Sequence, residues 1–193
     1  MSIVTANSIQ DEPCAWHPDV AAGNVYWITG LSGAGKTTLA RLLTRWLRER
    51  GRPVLLLDGD ELRAALGASA LVAPHERLAL ASCYGRLCRL LALQGSDVVI
   101  ATISLFHAIH RWNRAQLPGY VEILLDVPIG ELAARDAKGL YGGANAGACV
   151  VGVDQVVELP ENPHIVIRHG DGKSAGRMFA ELVDGLRRLR ASA

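Results

Sequence analysis

One stretch of this 193-residue chain decides its fold: Val25-Tyr26-Trp27-Ile28-Thr29-Gly30-Leu31-Ser32-Gly33-Ala34-Gly35-Lys36-Thr37-Thr38. It fits the pattern G-x-x-x-x-G-K-[ST], in which a strand enters a glycine-rich turn that opens a helix. The glycines let the backbone approach an anion closely, so that several N–H groups point at one phosphate chain. The lysine of this pattern contacts the β- and γ-phosphates, and the next hydroxyl faces Mg²⁺. We therefore predict that the loop binds a nucleoside triphosphate through Gly30, Ser32, Gly33, Ala34, Gly35, Lys36, Thr37 and Thr38.

The alternative to a nucleotide site is a glycine-rich turn that carries a lysine by chance. The flanking sequence argues against it, because a strand-like run precedes the loop and an amphipathic run follows it. The apolar residues after the loop have the helical spacing i, i+3, i+4, i+7 and i+8. They are Leu39, Leu42, Leu43, Trp46 and Leu47.

Length and composition indicate one domain with a single substantial core. Twenty Lys and Arg against nineteen Asp and Glu leave no broad basic field, so we expect no binding to nucleic acid or to a membrane surface. The sequence shows no signal peptide, and no apolar run approaches the ~18 residues of a membrane span. Without a C-x-x-C pair, the cysteines are expected to be buried, reduced thiols of a cytoplasmic protein. They are Cys14, Cys83, Cys88 and Cys149.

Strand-like and helix-like runs alternate, which predicts a three-layer α/β/α fold with a five-stranded parallel sheet. Residues 1–23 lack a periodic apolar pattern and are expected to be a loosely ordered extension to a domain at 24–193. The predicted strands are Val25–Thr29, Val54–Leu57, Val98–Ile103, Val121–Val127 and Ile165–Ile167. The predicted helices are Lys36–Arg50, Asp60–Leu66, Glu76–Leu93, His107–Ala115, Ile129–Ala134 and Ala175–Leu189.

Ligands of such sheets gather at the carboxyl ends of the strands, where polar residues follow the second strand as Asp58-Gly59-Asp60-Glu61-Leu62-Arg63. A carboxylate here can hold Mg²⁺ or accept the proton of an acceptor hydroxyl, and Arg63 can bind an anionic acceptor. Simple capping of the next helix by Asp58 or Asp60 explains the same residues. The two interpretations are compatible.

A second charged run, from Arg135 to Tyr141, leads into a glycine-rich stretch at 142–147. Cations beside such a stretch suit a lid over phosphates, which we place at about 136–158. The alternative is a solvated helix end whose cations offset the helix dipole.

Motifs in a fixed order along the chain resemble those of adenylyl-sulfate kinases. They are Gly30 to Thr38, Leu57-Asp58-Gly59-Asp60-x-x-Arg63, Ile103-Ser104, Arg135-Asp136-x-Lys138-Gly139-Leu140-Tyr141, Gly152-Val153-Asp154 and Pro160-Glu161-Asn162-Pro163. The resemblance covers about residues 24–190. It implies a P-loop kinase fold, usually as a homodimer, and an ATP- and Mg²⁺-dependent enzyme that phosphorylates the ribose 3′-hydroxyl of a small nucleotide acceptor.

The resemblance also implies roles for individual residues. Asp60 is the candidate base for the 3′-hydroxyl, and Arg63 would hold the acceptor. The implied catalytic residues are Lys36, Asp60 and Arg135. The implied metal-side residues are Thr37 and Asp58. Ser104 would line the phosphate region, and Arg135 and Lys138 would belong to the lid. The acceptor is expected to contact Asp58, Asp60, Arg63, Ser104 and Lys138, and Lys138 is expected to contact ATP as well.

The chain departs from the family where the acceptor binds. Adenylyl-sulfate kinases usually carry Arg-x-x-Asn-x-Arg-Arg, whereas Arg77 is followed here by Leu80, Ser82 and Cys83. Their Ser-Pro-Tyr-Arg element reads Ser104-Leu105-Phe106-His107, the lid aromatic is replaced within 150–153, and glycines follow Leu140-Tyr141. The lost charge and stacking partners weaken the case for adenylyl sulfate as acceptor. The chain has instead Tyr84-Gly85-Arg86-Leu87-Cys88, Gln94-Gly95, Ile103-Ser104-Leu105-Phe106-His107-x-x-His110-Arg111-Trp112-Asn113-Arg114 and Pro118-x-Tyr120. These stretches resemble the cytidine diphosphoramidate kinases, a branch of the family found with capsule polysaccharide genes.

Several residues near this region keep two interpretations. Arg77 and Arg86, nine residues apart on one predicted helix, are expected to share a face and bind acceptor phosphates, or to form a solvated stripe. His107 and His110 form either a metal pair or, since no third ligand has suitable spacing, polar surface or acceptor-site residues. Trp112 and Arg114 are expected to stack on a base or bind a phosphate, or, for Trp112, to belong to the core.

Two further function classes compete with the nucleotide 3′-kinase. One is a nucleotide-binding module that has lost catalysis, which the presence of Lys36, Thr37, Asp60 and Arg135 argues against. The other is a kinase for the hydroxyl of another small molecule, for which Gly142 and Gly143 would leave an open acceptor region.

Overall fold

The computed structural model describes residues 20–69, 73–135, 157–168 and 173–192. Five strands and six helices alternate along these residues. The strands are β1 (Val25–Gly30), β2 (Val54–Asp58), β3 (Asp97–Ala101), β4 (Val121–Asp126) and β5 (Ile165–Arg168). The helices are α1 (Lys36–Arg48), α2 (Gly59–Ala65), α3 (Pro74–Ala92), α4 (His107–Gln116), α5 (Ile129–Arg135) and α6 (Ala175–Ala191).

The five strands form one parallel sheet in the order β2-β3-β1-β4-β5. The chain crosses over between neighbouring strands, so the first strand lies in the centre and the glycine loop leaves from the middle of the sheet. This architecture confirms the predicted α/β/α fold with a five-stranded parallel sheet. Parallel strands require helices on both faces, and the chain supplies them.

Alternate residues of β1 point to the two faces of the sheet and enter two separate cores. Tyr26 and Ile28 pack with α1 and α6 on one face. Val25 and Trp27 pack with α3 and α4 on the other face. All four side chains are at most 2% exposed, which explains why this strand reads as a continuous apolar run.

The predicted element boundaries are correct to within a few residues, with one difference that matters for the site. The third strand ends at Ala101, two residues before the predicted end. Beyond it the Thr29 hydroxyl donates to the carbonyl of Ile103, and Ser104 has a φ of 33°. Few non-glycine residues adopt this left-handed backbone conformation, and a residue in it cannot continue a strand.

The opposite, amino-terminal edge of the sheet is held together by the carboxylate of Asp97. Its side chain is fully buried and accepts a hydrogen bond from the backbone N–H of Asn24 at 2.8 Å. It also accepts two bonds from the guanidinium of Arg52, at 2.8 and 2.9 Å. This bidentate contact raises the pKa of Arg52, and it ties together the starts of β1, β2 and β3.

Two expectations on cysteines and membranes can be compared with the described residues. Cys88 is buried and Cys83 is exposed, and both are free thiols. The prediction of burial is therefore wrong for Cys83, because it lies off the stripe of α3 that contains Tyr84, Cys88 and Ala92. None of the helices in the described ranges combines the length and apolar character that a membrane span requires.

Candidate active site

The glycine loop between β1 and α1 adopts the conformation that phosphate binding requires. Gly30, Gly33 and Gly35 have φ values of 147°, 77° and 93°, and such values strain any residue with a Cβ. The loop opens α1 at Lys36, so backbone N–H groups at the start of a 13-residue helix face the cavity. The Lys36 ammonium donates to the carbonyl of Leu31 at 2.7 Å.

A cavity runs from this loop across the carboxyl ends of β2 and β3. The loop contributes Ser32, Gly33, Gly35, Lys36, Thr37 and Thr38. The ends of β2 and β3 contribute Asp58, Gly59, Asp60, Arg63, Ala101, Thr102, Ile103, Ser104, Leu105 and Phe106. Helix α3 contributes Arg77, Leu80 and Tyr84, and Val157 completes the wall.

Asp58 links the donor and acceptor parts of the cavity through its two carboxylate oxygens. Oδ2 accepts a 2.6 Å hydrogen bond from the Thr37 hydroxyl. Oδ1 accepts a 2.9 Å bond from the backbone N–H of Asp60, as the N-cap of α2. The structure shows the capping role of Asp58, and its predicted role at a metal ion stays a prediction.

The oxygens of Thr37 and Asp58 fit a Mg²⁺ ion in their chemistry. Mg²⁺ prefers hard oxygen ligands and takes few of them from the protein, the remainder coming from phosphates and water. A hydroxyl and a carboxylate oxygen 2.6 Å apart, beside a phosphate loop, are such a set. These two residues would hold the ion, which when bound neutralises charge on the transferring phosphoryl group.

Asp60 and Arg63 lie one turn apart on α2 and face the cavity together. Arg63 Nη2 lies 3.0 Å from Asp60 Oδ1. The carboxylate of Asp60 is 61% exposed, whereas the guanidinium side chain of Arg63 is 25% exposed. Such a partly exposed ion pair contributes little to stability.

Arg77 and Arg86 do not share a face of α3, so that prediction is wrong. Nine residues span about two and a half turns of an α-helix, which places them on opposite sides. Arg77 lines the cavity, whereas Arg86 is exposed and does not line it. The residues that continue the face of Arg77 are Leu80 and Tyr84, at the offsets of three and seven that the helical period gives. Applied more strictly, the same periodicity identifies them from the sequence.

The histidines of α4 lie outside the cavity lining and hold other parts of the chain. His107 Nε2 lies 2.9 Å from the carbonyl of Leu159, and its backbone N–H donates to the Glu158 carboxylate at 2.5 Å. His110 Nδ1 lies 2.7 Å from Oε1 of the buried Glu122. No group of three potential ligand side chains occurs in the described ranges, so the metal-pair interpretation has no support there.

Arg114 and Trp112 lie on α4 and contact the elements packed against it. Arg114 Nη2 donates to Glu122 at 2.7 Å and to the carbonyl of Asn162 at 2.6 Å. Trp112 packs against the core formed with α3, close enough that a Cβ on Gly85 would lie 2.9 Å from its ring. The core interpretation therefore holds for Trp112, and Arg114 pairs with a buried carboxylate of β4.

The remaining predicted site residues divide into two groups. Ser104 lines the cavity, and its hydroxyl lies 2.8 Å from that of Thr102. Arg135 ends α5, but its side chain lies outside the described residues, as do Lys138 and the lid prediction except for its last two residues. The roles of these residues stay predictions.

The cavity combines a glycine loop suited to a triphosphate, a hydroxyl and a carboxylate suited to a metal ion, and an adjoining carboxylate–arginine pair. This combination defines a P-loop phosphotransferase that acts on a hydroxyl group. The chain belongs to the adenylylsulphate kinase family, whose model matches residues 22–168. This confirms the resemblance drawn from the ordered motifs.

The individual relatives include kinases named for different acceptors. An adenylyl-sulfate kinase of Paraburkholderia xenovorans is 38% identical over 84% of this chain and 94% of its own length. A cytidine diphosphoramidate kinase of Campylobacter jejuni is 40% identical over 71% of this chain and 81% of its own. A probable bifunctional SAT/APS kinase of Sorangium cellulosum is 42% identical over 77% of this chain, which spans about a quarter (26%) of that protein. The identities are too similar to select an acceptor.

Among solved structures, the chain is similar to the APS kinase CysC of Mycobacterium tuberculosis in complex with AMPPNP and APS. The TM-score is 0.77 at 31% identity, over 86% of this chain and 98% of that one. That protein binds an ATP analogue together with APS.

Proposed function

We propose that this protein transfers the γ-phosphoryl group of ATP to the ribose 3′-hydroxyl of cytidine diphosphoramidate. The observation that carries the proposal is the composition of the acceptor wall on α3. Where adenylyl-sulfate kinases usually carry Asn and two Arg, the chain has Leu80, Ser82 and Cys83, and Leu80 lines the cavity beside Arg77. A wall with fewer charges favours an acceptor other than adenylyl sulfate, because unpaired polar groups disfavour binding.

The reaction forms a bond between the 3′-oxygen and the γ-phosphorus and breaks the bond from that phosphorus to the β–γ bridging oxygen. ADP leaves with the electron pair, and the proton of the 3′-hydroxyl passes to Asp60. The glycine loop and Lys36 bind the triphosphate, and Arg63 and Arg77 hold the anionic end of the acceptor. Positioning and charge neutralisation carry such a reaction.

The second candidate acceptor is adenylyl sulfate. Support for it comes from the similarity to the complex of CysC with APS and from the adenylyl-sulfate kinase that is 38% identical. The two acceptors differ in base and in the group attached to phosphate. The cavity residues that would discriminate between them are Arg77, Leu80 and Tyr84.

Offering each acceptor separately with Mg-ATP tests the proposal, with ADP release as the measurement. We expect kcat/KM for cytidine diphosphoramidate to exceed that for adenylyl sulfate by at least about tenfold, or ~1.4 kcal/mol of differential transition-state binding. Equal or greater turnover of adenylyl sulfate would overturn the cytidine preference.

A variant of the loop lysine separates an enzyme from a module that only binds nucleotides. Lys36→Ala should abolish both ATP-analogue binding and turnover. Arg41→Ala is the matched control, because Arg41 is an exposed cation on the same helix that does not line the cavity. Analogue binding that depends on Lys36, without turnover of any acceptor by the parent protein, would favour the inactive module.

A homodimer is part of the proposal, and light scattering on the purified protein tests it. One solved relative, the APS kinase of Thiobacillus denitrificans, is hexameric, with 26% identity and a TM-score of 0.63. The expected cytoplasmic location and the expectation that residues 1–23 form a loosely ordered extension stay predictions.

A further inference from the structure

Tyr84 is a buried phenol in the cavity wall, in contact with the turn that carries the two aspartates. Its side chain is 4% exposed, and its hydroxyl donates to the carbonyl of Gly59 at 3.2 Å. Gly59 stands between Asp58 and Asp60 in the chain. The contact therefore connects α3, which carries Arg77, with the residues expected to handle the metal and the acceptor proton.

The turn is confined from its other side by the end of β3. A Cβ on Gly59 would lie 3.1 Å from the carbonyl oxygen of Ala101 and 3.2 Å from the Thr102 hydroxyl. These distances are tighter than ordinary van der Waals contact. The backbone at Gly59 thus has close neighbours both at the end of β3 and at Tyr84.

The phenol keeps its proton over the pH range in which an enzyme works. Burial, the largest cause, raises the pKa of Tyr84, and the carboxylates of Asp60 and Asp58 raise it further, against the opposing charge of Arg63. A neutral phenol donates one hydrogen bond. The carbonyl of Gly59 can accept it in addition to its helical bond, because a carbonyl oxygen has two lone pairs.

We propose that Tyr84 is a positioning residue for phosphoryl transfer, whose hydroxyl fixes the Asp58-Gly59-Asp60 turn relative to the face of α3 that holds the acceptor. Small displacements of a reacting group cost a large part of the rate. The inference rests on the proposed function, since it assigns the turn and Arg77 to the two ends of one acceptor. Its consequence is that the hydroxyl affects kcat more than ATP binding.

The test compares Tyr84→Phe with Tyr120→Phe. Both substitutions remove one hydroxyl and keep the ring, which is buried for Tyr84 and half-buried for Tyr120. The hydroxyl of Tyr120 donates to Glu122 at 2.9 Å, away from the cavity lining. For Tyr84→Phe we expect kcat to fall about three- to tenfold, the effect of one neutral hydrogen bond, with the KM for Mg-ATP unchanged. For Tyr120→Phe we expect kcat within about twofold of the parent and a lower melting temperature.

Hydrogen exchange of the backbone amides at 58–61 supplies a readout that needs no acceptor. The proposal predicts faster exchange there in Tyr84→Phe and parent-like exchange in Tyr120→Phe. Parent-like exchange at 58–61 in Tyr84→Phe, together with an unchanged kcat, would overturn it. A parent protein that turns over no acceptor contradicts the proposed function instead, and the exchange result then decides the role of Tyr84 on its own.

Discussion

The Thr37 hydroxyl donates a 2.6 Å hydrogen bond to the carboxylate of Asp58, joining the start of α1 to the end of β2. The second oxygen of the same carboxylate caps α2 through the Asp60 amide. The side chain of Asp58 thus contacts both the Thr37 hydroxyl, which is expected to bind the metal ion, and the backbone of the candidate base Asp60. Twenty-one residues separate Thr37 from Asp58 in the chain, so this relationship depends on the pairing of β2 with β3 and of β3 with β1.

Two variants of Asp58 separate its capping role from its charge. Asp58→Asn keeps an oxygen that can cap α2, so we expect the free energy of unfolding to change by less than about 0.5 kcal/mol, while kcat falls at least about tenfold because the charge is lost. Asp58→Ala removes the cap as well and should cost about 1 kcal/mol more. Urea unfolding and steady-state kinetics measure the two effects. Equal stability of the two variants would contradict the capping role.

The role of Asp60 as base is tested against its neighbour Glu61. Asp60→Asn should reduce kcat by about 10²- to 10⁴-fold, the contribution of general acid–base catalysis. Glu61→Gln is the control, because Glu61 is exposed and does not line the cavity. If Asp60→Asn lowers kcat less than tenfold, Asp60 only orients the acceptor.

The two arginines of α3 form a matched pair for acceptor binding. Arg77→Ala should raise the KM for the acceptor by about tenfold or more, since a charge-assisted hydrogen bond contributes about 1.5–3 kcal/mol. Arg86→Ala should leave both KM values unchanged, because Arg86 faces solvent on the other side of the helix. Steady-state kinetics with the acceptor varied at saturating Mg-ATP measures both variants. A larger effect at Arg86 than at Arg77 would contradict the proposal that the acceptor binds the face of α3 that carries Arg77.

The stability of the protein should depend on pH through His164 and Glu122. Burial, followed by the charge of Arg114, lowers the pKa of His164 from its ordinary value of 6.5. Its Nδ1 accepts the N–H of Glu122 at 2.9 Å, which requires this nitrogen to be unprotonated. Because the unfolded chain then binds a proton more readily, this contribution is complete above pH 6.5 and is lost as the pH falls below it.

Glu122 adds a second decline at lower pH. Burial alone would raise its pKa, but the hydrogen bond and charge of His110, with Tyr120 and Arg114, lower it below 4.5. This stability is present above pH 4.5 and is lost as the pH falls through the lowered pKa. We expect the free energy of unfolding to decline from pH 6.5 downwards and more steeply below 4.5.

Urea unfolding at a series of pH values tests both steps. In His164→Asn the decline between pH 6.5 and 5 should weaken, because the amide oxygen can accept the Glu122 N–H without titrating. His75→Asn, an exposed substitution at the start of α3, serves as the control and should keep the decline of the parent. A His164→Asn protein with the same decline as the parent would show that another group causes it.

Local patterns of the sequence predict the strands and helices well, because burial on one or both faces leaves a period that can be read from a single segment. They fail where a side-chain contact between segments ends an element. The third strand ends at Ala101, and beyond it the Thr29 hydroxyl donates to Ile103 and Ser104 has a positive φ; no pattern within 98–103 contains that information. The ion pair of Arg114 with Glu122 could not be predicted for the same reason. The charged residue Glu122 inside β4 is explained only by its contact with Arg114 on α4.

The donor half of this protein can be read from its sequence alone: the glycine loop, its strand and helix, and the carboxylates after β2. These features depend on residues close in the chain, where backbone freedom, helix capping and charge act locally. Three further contacts need the folded chain: Asp58 accepts from Thr37, Arg77 rather than Arg86 faces the cavity, and Tyr84 donates to Gly59. Those relationships join residues on different elements, and they exist only because packing against the sheet fixes which face of α3 turns inward.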